Sequence, residues 1–452
     1  MRTINIGIIG LGTVGGGVVR MIAEHRESYA SQRGVDLRIG RVCSRSDRRL
    51  AELGIASELF TADWRDVVSD SQIDIVVEVI GGEHPATEIF EAAFRSGKHI
   101  VTANKALLGR NMGHLAGMAS ENGVQLRCEA AVAGGIPIVA TVEDDLAGNR
   151  ILGIAGIMNG TTNYILSRMR HEGLSFGEVL SAAQEAGYAE ADPTADVDGF
   201  DAASKIAILS SIGFRTRITT DDVYMQGIRN VSADDMAWAE KSGYVIKLLA
   251  IARNTETGAD VRVHPAMIPA AHPLASVDGA MNAVFVVGDA VGETMFYGAG
   301  AGSLPTASAV VGDILALATP LAAGVAPLPE PVPYARDLAV RDVLDLETAY
   351  YVRFAIDGSG EGCGEAVAEG AEAGAEAAAK AMATVAGVLA EHGVSVSVPA
   401  ECTVSGDGGR FGMLATEAVS ERTMRDALEA ACGAAGVTVA SLIRIEDVNA
   451  WR

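Results

Sequence analysis

Gly10-Leu11-Gly12-Thr13-Val14-Gly15 decides the fold. This hexapeptide follows the apolar run Thr3–Ile9 and opens a helical pattern, and that setting gives a GxGxxG sequence its meaning. The first glycine permits a tight turn, and the second lets backbone approach a pyrophosphate. The third allows a helix to pack close on the strand, while the helix's N-terminal amides meet the phosphate charge. Among 52 glycines the pattern alone would be weak, and a structural turn is the ordinary alternative. Its place after the first strand reads as dinucleotide binding at Gly10, Gly12, Thr13, Val14 and Gly15.

Working outward, Ile4–Ile9, Leu37–Cys43, Ile73–Ile80, His99–Thr102 and Val124–Cys128 look like buried strands. They alternate with amphipathic helical stretches, which favours a parallel sheet wound with helices. The reading is an α/β, Rossmann-type parallel-sheet domain over 1–132, completed by a helix at about 305–318 whose centre is Thr306–Leu317. A second, α+β region over 133–304 mixes helices such as Ala202–Gly213 with strands such as Ile151–Met158 and Val284–Val287. Five of the 13 prolines lie between Pro320 and Pro333, so 319–346 reads as an extended, semi-rigid linker. Beyond it, 347–452 orders Tyr350–Ile356, Ala381–His392, Val394–Val398, Gly412–Ala418, Met424–Cys432 and Val437–Ile445 as βαββαβ, a ferredoxin-like module. A Gly/Ala/Glu-rich tract at about 357–380 interrupts it, either as a flexible insertion or as an alanine-rich helical extension.

A chain of 452 residues implies two or three domains. With 58 acidic and 35 basic residues its net charge is -23, a field that repels nucleic acid and anionic lipid. A phosphate-bearing ligand therefore needs a local basic site, and the end of the second strand supplies one. Arg41-Val42-Cys43-Ser44-Arg45-Ser46 continues to Arg48 and Arg49, with no acid where an NAD site would use one. Ser44 and Arg45 suit a 2′-phosphate, so NADP is favoured and NAD is possible. A solvated basic loop is the bland alternative. No charged leader, cleavage signal or uninterrupted membrane-length run is expected. Cys43, Cys128, Cys363, Cys402 and Cys432 are scattered and odd in number, so reduced thiols and a cytoplasmic location are expected.

Three stretches carry chemistry: Thr102-Ala103-Asn104-Lys105, Glu129 to Pro137, and Gly187 to Lys205. Asp201 and Lys205 are four apart and share a helix face, which for an isolated pair usually means a surface ion pair. The acids between Glu190 and Asp201 also invite a calcium loop, but the register puts Lys205 where a bidentate glutamate belongs. A substrate with an ammonium group explains them better. No His/Cys/Glu cluster has zinc spacing.

These stretches together resemble the homoserine dehydrogenase family from residue 1 to about 320. The resemblance rests on the fingerprint, Ala103-Asn104-Lys105, Met158-Asn159-Gly160-Thr161-Thr162-Asn163-Tyr164 and Glu190–Lys205. His272-Pro273-Leu274-Ala275 and Gly298-Ala299-Gly300-Ala301-Gly302 extend it. It implies NAD(P)-dependent hydride transfer between aspartate 4-semialdehyde and homoserine, in a homodimer or homotetramer joined through the 133–304 domain. By the same resemblance Lys205 is the catalytic proton donor, Asp201 orients it and touches substrate, and Lys105 is a second active-site lysine beside the cofactor. Glu190 takes the substrate amino group, with Gly187 and Asp196 near substrate and Thr102 and Gly302 near cofactor. Two such lysines are expected to lower each other's pKa. A monovalent cation, Na+, is implied at the backbone carbonyls of Glu129, Val132, Gly134 and Ile136. The C-terminal unit is similar to the ACT module, but Asp357-Gly358-Ser359-Gly360 stands in place of the usual ligand turn, so weak or absent threonine inhibition is expected. Two rival readings are a cysteine-dependent semialdehyde dehydrogenase, for which Cys128 is the candidate, and a non-catalytic NADP-binding sensor. Against the first, Cys128 reads as a buried, inert thiol.

Overall fold

The computed structural model describes residues 2–325, 336, 338–356, 369–404 and 409–448. The N-terminal part alternates β1 (Thr3–Ile9), α1 (Thr13–Arg33), β2 (Asp36–Cys43), β3 (Phe60–Thr61), α2 (Trp64–Ser69) and β4 (Ile75–Glu78). It continues through α3 (Ala86–Arg95), β5 (His99–Thr102), α4 (Lys105–Glu121) and β6 (Leu126–Arg127). The sheet runs β3-β2-β1-β4-β5-β6, and every pair is parallel. Strand order reverses at β1, which opens a crevice at the carboxyl ends of β1 and β4, directly above the glycine turn. Two strands are shorter than expected. Gly81 and Gly82, at φ 74 and 76, turn the chain away after Glu78. Cys128 already belongs to the next turn, its carbonyl accepting from the Ala131 amide at 2.9 Å.

The middle region carries β7 (Ile151–Ile157), α5 (Gly160–Glu172), α6 (Phe176–Glu185), α7 (Thr194–Val197), α8 (Phe200–Phe214), β8 (Tyr224–Met225) and α9 (Ala233–Lys241). A long hairpin of β9 (Tyr244–Thr255) and β10 (Gly258–Pro269) follows, then β11 (Met281–Gly288) and β12 (Gly292–Ala299). The chain then returns to the first domain as α10 (Ser303–Ala322). Val310, Ile314 and Leu317 of α10 pack with Ile4, Ile6 and Ile8 of β1 and Val18 of α1 in one buried cluster. Among the described residues α10 is the one helix long and apolar enough to cross a membrane, yet it is the lid of this core. It also outruns the expected boundary at 318. Leu321 and Ala322 still pack against the core, so Pro320 sits within its last turn rather than opening the linker. Residues 326–335 and 337 of that linker lie outside the described residues. Val340, further along, bridges Ala259 of β10.

The C-terminal part follows as β13 (Glu347–Ile356), α11 (Glu369–Glu391), β14 (Val396–Val404), β15 (Arg410–Thr416), β16 (Val419–Ser420), α12 (Glu421–Ala435) and β17 (Val437–Ile445). Of the Gly/Ala/Glu-rich tract, 369–380 is helical within α11, and 357–368 falls outside the described residues. The C-terminal unit keeps its own strands but does not keep a separate sheet. One 11-stranded sheet, ordered β12-β11-β7-β9-β10-β17-β13-β15-β14 with β8 beside β10 and β16 beside β13, runs through both the middle and C-terminal regions. The seam is parallel pairing of Ala266 with Arg444 and Met267 with Ile445.

Buried charge explains why the seam is specific. Arg262 of β10 donates to Glu446 at 2.9 Å and pairs with Asp260, all three being buried. Arg444 of β17 donates to Glu421 at 2.6 Å and to Gln226 at 2.8 Å. Arg353 and the Tyr351 hydroxyl both donate to Asp235 of α9, at 2.8 and 2.7 Å. Burial works to raise the Glu446 carboxyl, but the Arg262 charge and the His264 hydrogen bond outweigh it and hold it at about 2. A carboxyl depressed on folding contributes stability above its unfolded value of 4.5, and that stability fades as pH falls toward about 2. Glu446→Gln should therefore melt well below wild type at pH 7, with the gap narrowing at pH 3; a constant gap would show that the Glu446 charge does not hold the seam.

Candidate active site

The glycine turn is built as its sequence requires. Gly10 has φ 110, and a Cβ there would lie 2.8 Å from the Val79 carbonyl. A Cβ at Gly15 would lie 1.9 Å from the Gly10 carbonyl, so the helix packs on the turn itself. Gly12 is different: a Cβ there would meet nothing within 4 Å. Helix α1 starts at Thr13 with no side-chain cap and no acid in its first turn. An open face over the second glycine and an unneutralised helix N-terminus fit a dinucleotide pyrophosphate. Ser44 follows β2 beside the turn, where the Gly10 amide donates to the Cys43 carbonyl at 2.9 Å. Arg45 is exposed. Arg49, to which sequence reasoning gave no separate role, donates to the Leu11 and Gly12 carbonyls, both at 2.6 Å, and ties the basic loop to the glycine turn.

The second half of the crevice gathers the charged residues. Lys105 opens α4 and Lys205 lies on α8, and Asp201 lies between them. Its Oδ1 is 2.7 Å from Lys105 Nζ, and its Oδ2 accepts from Lys205 Nζ at 2.7 Å. Lys205 also donates to the Met158 carbonyl at 2.7 Å. An ammonium has three N–H groups, so one of them remains uncommitted. Helices α4 and α8 come this close because Gly109 has no side chain: a Cβ would lie 2.5 Å from Thr220 Oγ1 and 3.3 Å from Ser204 Cα.

Burial and charge set the protonation states. Lys205 is lowered below the usual lysine value, by burial first, with the Asp201 charge opposing and the Lys105 charge assisting. Lys105 moves the other way. Burial opposes its charge, but Asp201 and Asp196 outweigh burial and raise it. The expected mutual lowering therefore holds for one lysine only, because Lys105 is 46% exposed at its side chain and faces two carboxylates. Burial likewise opposes the Asp201 charge, yet both lysines together hold it well below the carboxylate range. Asp196 is raised, by burial first.

Asn159 joins these groups and was assigned no role from sequence. Its Nδ2 donates to Asp196 Oδ1 at 2.6 Å and to Asp201 Oδ2 at 2.9 Å. The signal was available, since an asparagine before a helical pattern marks an N-cap, and Asn159 caps α5. Glu78 was missed too. It is buried at the end of β4 and accepts from the Thr102 hydroxyl at 2.8 Å and the Ile80 amide at 2.8 Å. Thr102 Oγ1 accepts in turn from the Asn104 amide at 3.0 Å, so this hydroxyl shapes the turn into α4.

Gly187 (φ 76) and Glu190 lie in an exposed loop beside α5. Tyr188 of that loop stacks on Tyr164, ring centroids 4.7 Å apart, and its carbonyl accepts from Thr161 Oγ1 at 2.8 Å. The Glu190 carboxylate has no hydrogen-bond or ion-pair partner among the described residues. Gly302 (φ 125) caps α10, and the next residue, Ser303, donates to the Thr13 carbonyl at 2.8 Å. The Glu129–Ile136 loop is buried. The Glu129 carboxylate accepts from the Ile138, Val139 and Ala140 amides at 2.6 to 2.8 Å. Its carbonyl accepts from the Val132 amide at 3.3 Å. Ala133 and Gly134 are consecutive left-handed residues, at φ 53 and 57. Cys128 is buried, and burial with two nearby aspartates pushes the Cys43 thiol up to about 11, so neither matches an activated thiolate.

A dinucleotide turn after β1 and a lysine–aspartate–lysine cluster that begins after β5, at the same carboxyl edge of one parallel sheet, mark an NAD(P)-dependent oxidoreductase. Family models agree: residues 10–129 match the homoserine dehydrogenase NAD-binding domain, and residues 137–315 match homoserine dehydrogenase itself. A Pseudomonas aeruginosa homoserine dehydrogenase is 40% identical over 99% of this chain and 100% of its own. The crystal structure of a Thiobacillus denitrificans homoserine dehydrogenase aligns with a TM-score of 0.87 at 39% identity, over 99% of both chains. A hyperthermophilic archaeal homoserine dehydrogenase in complex with NADPH aligns at 27% identity and a TM-score of 0.60, over 70% of this chain and 97% of that one. The chain belongs to the homoserine dehydrogenase family, and it interconverts aspartate 4-semialdehyde and homoserine in amino-acid biosynthesis.

The two glycines separate ligand binding from folding. Gly12→Ala should melt like wild type and weaken dinucleotide binding at least about tenfold, because its Cβ occupies only ligand space. Gly10→Ala should lose about 1–3 kcal/mol of stability from its backbone conformation. Titration of cofactor fluorescence and thermal melts check both; a Gly12→Ala variant with wild-type affinity would remove the pyrophosphate from this turn.

Proposed function

We propose that Lys205 exchanges the proton at the substrate oxygen, Asp201 positions it and contacts substrate, and Lys105 is the second catalytic cation beside the cofactor. The observation that carries this reading is the single buried carboxylate shared by two lysines at 2.7 Å each. A dinucleotide held at Gly10, Gly12 and Gly15 would supply or accept hydride at the substrate carbon. As the aldehyde is reduced, negative charge grows on its oxygen, and two cations stabilise it. Lys205 delivers the proton to that oxygen, and in the reverse direction the neutral amine takes it. Its lowered pKa favours that exchange nearer neutrality. Glu190, exposed and without a side-chain partner among the described residues, suits the substrate ammonium. Asp196 and Gly187 complete the substrate side, while Thr102 and Gly302 border the cofactor.

NADP is the preferred cofactor on this reading. Ser44 and Arg45 lie where the 2′-phosphate would sit, and Arg49 fixes that loop to the glycine turn. Homoserine oxidation followed at the nicotinamide absorbance should be faster with NADP than with NAD. Lys205→Ala should keep NADP binding and lose about 10²–10⁴-fold in kcat. Wild-type turnover without Lys205 would remove it from the mechanism; cofactor binding without wild-type turnover would favour a sensor.

The loop at Glu129, Val132, Gly134 and Ile136 is read as a backbone-carbonyl site for Na+, supported by the left-handed pair Ala133–Gly134. A left-handed alanine costs about 1–2 kcal/mol, which a bound cation would offset. Melting in NaCl should exceed melting in choline chloride at equal ionic strength; identical curves would dismiss the ion. A homodimer or homotetramer is supported by the open edge strand β12, where Tyr297 is 58% exposed. Among the described residues Cys43, Cys128, Cys402 and Cys432 form no disulfide, which supports a cytoplasmic setting. The strand order β17-β13-β15-β14 with α11 and α12 supports a ferredoxin-like, ACT-type C-terminal module.

A further inference from the structure

We infer that Asn159 is a positioning residue of the hydride-transfer site: its one amide nitrogen holds Asp196 and Asp201 together and so fixes the proton arrangement of Lys205. This rests on the roles proposed above for Lys205 and Asp201.

The amide orientation is determined by its neighbours. Asn159 Oδ1 accepts from the Thr162 amide at 2.8 Å and from Thr162 Oγ1 at 3.0 Å. Both are donors, so the oxygen must face them and the nitrogen must face the carboxylates. The two Nδ2 hydrogens then go one to Asp196 and one to Asp201, at 2.6 and 2.9 Å. Asn159 is itself buried, at 5% exposure, so water does not substitute for it.

The consequence concerns charge. Asp196 and Asp201 repel each other, and the Asp201 charge contributes to the rise of Asp196. A donor between them keeps both carboxylates in place without adding charge. Asp201 Oδ2 is shared by Asn159 and Lys205. The amide therefore holds the oxygen that orients Lys205, while the Met158 carbonyl, the residue next to Asn159, holds a second Lys205 proton. Two residues at the end of β7 thus bear on both Lys205 contacts, Met158 directly and Asn159 through Asp201. A carboxylate at 159 would replace the donor with a third negative charge beside the lysine and raise its pKa.

Capping and positioning can be separated by experiment. Serine and aspartate cap helices about as well as asparagine. If Asn159 only caps α5, then Asn159→Ser and Asn159→Asp should both match wild type. If it positions the carboxylates, both should lower kcat for homoserine oxidation, by about tenfold or more, with KM for NADP unchanged. Asn159→Asp should also shift the rising limb of the kcat–pH profile upward by about one unit, since oxidation needs neutral Lys205. Melting curves recorded alongside give kcat per folded molecule. Wild-type kcat and an unmoved limb in both variants would overturn the inference, as would a loss that tracks only the unfolded fraction. Wild-type enzyme in the same assay separates this outcome from failure of the site reading, since inactive wild type would count against the lysines first.

Discussion

The site depends on one carboxylate buried between two ammonium groups. Asp201 alone in that position would be expensive, and burial does work to raise its pKa. Two lysines reverse this, and each answers differently because each is solvated differently. Lys105 keeps nearly half its side-chain surface open and stays firmly charged, whereas Lys205 is enclosed and gives up some hold on its proton. The two lysines of a symmetric-looking triad are thus moved in opposite directions, Lys105 up by its carboxylates and Lys205 down by burial. Removing one partner of such a pair costs about 3–5 kcal/mol, so the arrangement also constrains how α4, α8 and β7 pack.

The two domains meet at a narrow crossing. The chain leaves the nucleotide domain through Ala133–Gly135 and returns through Ala299–Gly302, and the two passages touch. The Gly135 amide donates to the Ala299 carbonyl at 3.0 Å, and a Cβ at Gly134 would come within 2.3 Å of the Gly300 carbonyl. A Cβ at Gly300 would in turn fall 2.1 Å from the buried Asn282 amide. The glycines of 298–302 are therefore needed for contact between backbones as well as for any ligand they border. This crossing, with the packing of α4 on α8 at Gly109, fixes the relative position of the nucleotide turn and the lysine cluster.

Much of this was legible in the sequence. The glycine turn, the parallel strands and α10 follow from local patterns: a strand, a turn requiring positive φ, and helical periodicity. Asp201 and Lys205 were legible as a pair because i, i+4 spacing on a helix is local. Lys105 and Asn159 could not be linked to them from spacing alone, since the contacts span 96 and 42 residues by their numbering. Glu78 closing an otherwise apolar strand was visible but ambiguous until its amide and hydroxyl partners were seen. The shared sheet was hidden for a different reason. β17 read as an ordinary strand of its own unit and β10 was not picked out at all, and the pairing and ion pairs between them mark the two as neighbours.

Those ion pairs bear on the active site through one short segment. On one side, Gln226 Nε2 donates to the Leu442 carbonyl at 2.9 Å, and Arg444 donates to Gln226 Oε1 at 2.8 Å. On the other side, the Ile228 amide donates to the Val197 carbonyl at 2.9 Å, and Arg229 pairs with Asp198 at 2.6 Å. Gly227 lies between, where a Cβ would sit 2.4 Å from the Val197 carbonyl. Val197 and Asp198 lie between Asp196 of α7 and Asp201 in the first turn of α8. The strand that closes the C-terminal sheet therefore presses, through residues 224–229, on the turn that presents the site's carboxylates. With hydrogen bonds on both faces and no room for a side chain at its centre, the segment is held tightly between that strand and the residues that carry the carboxylates.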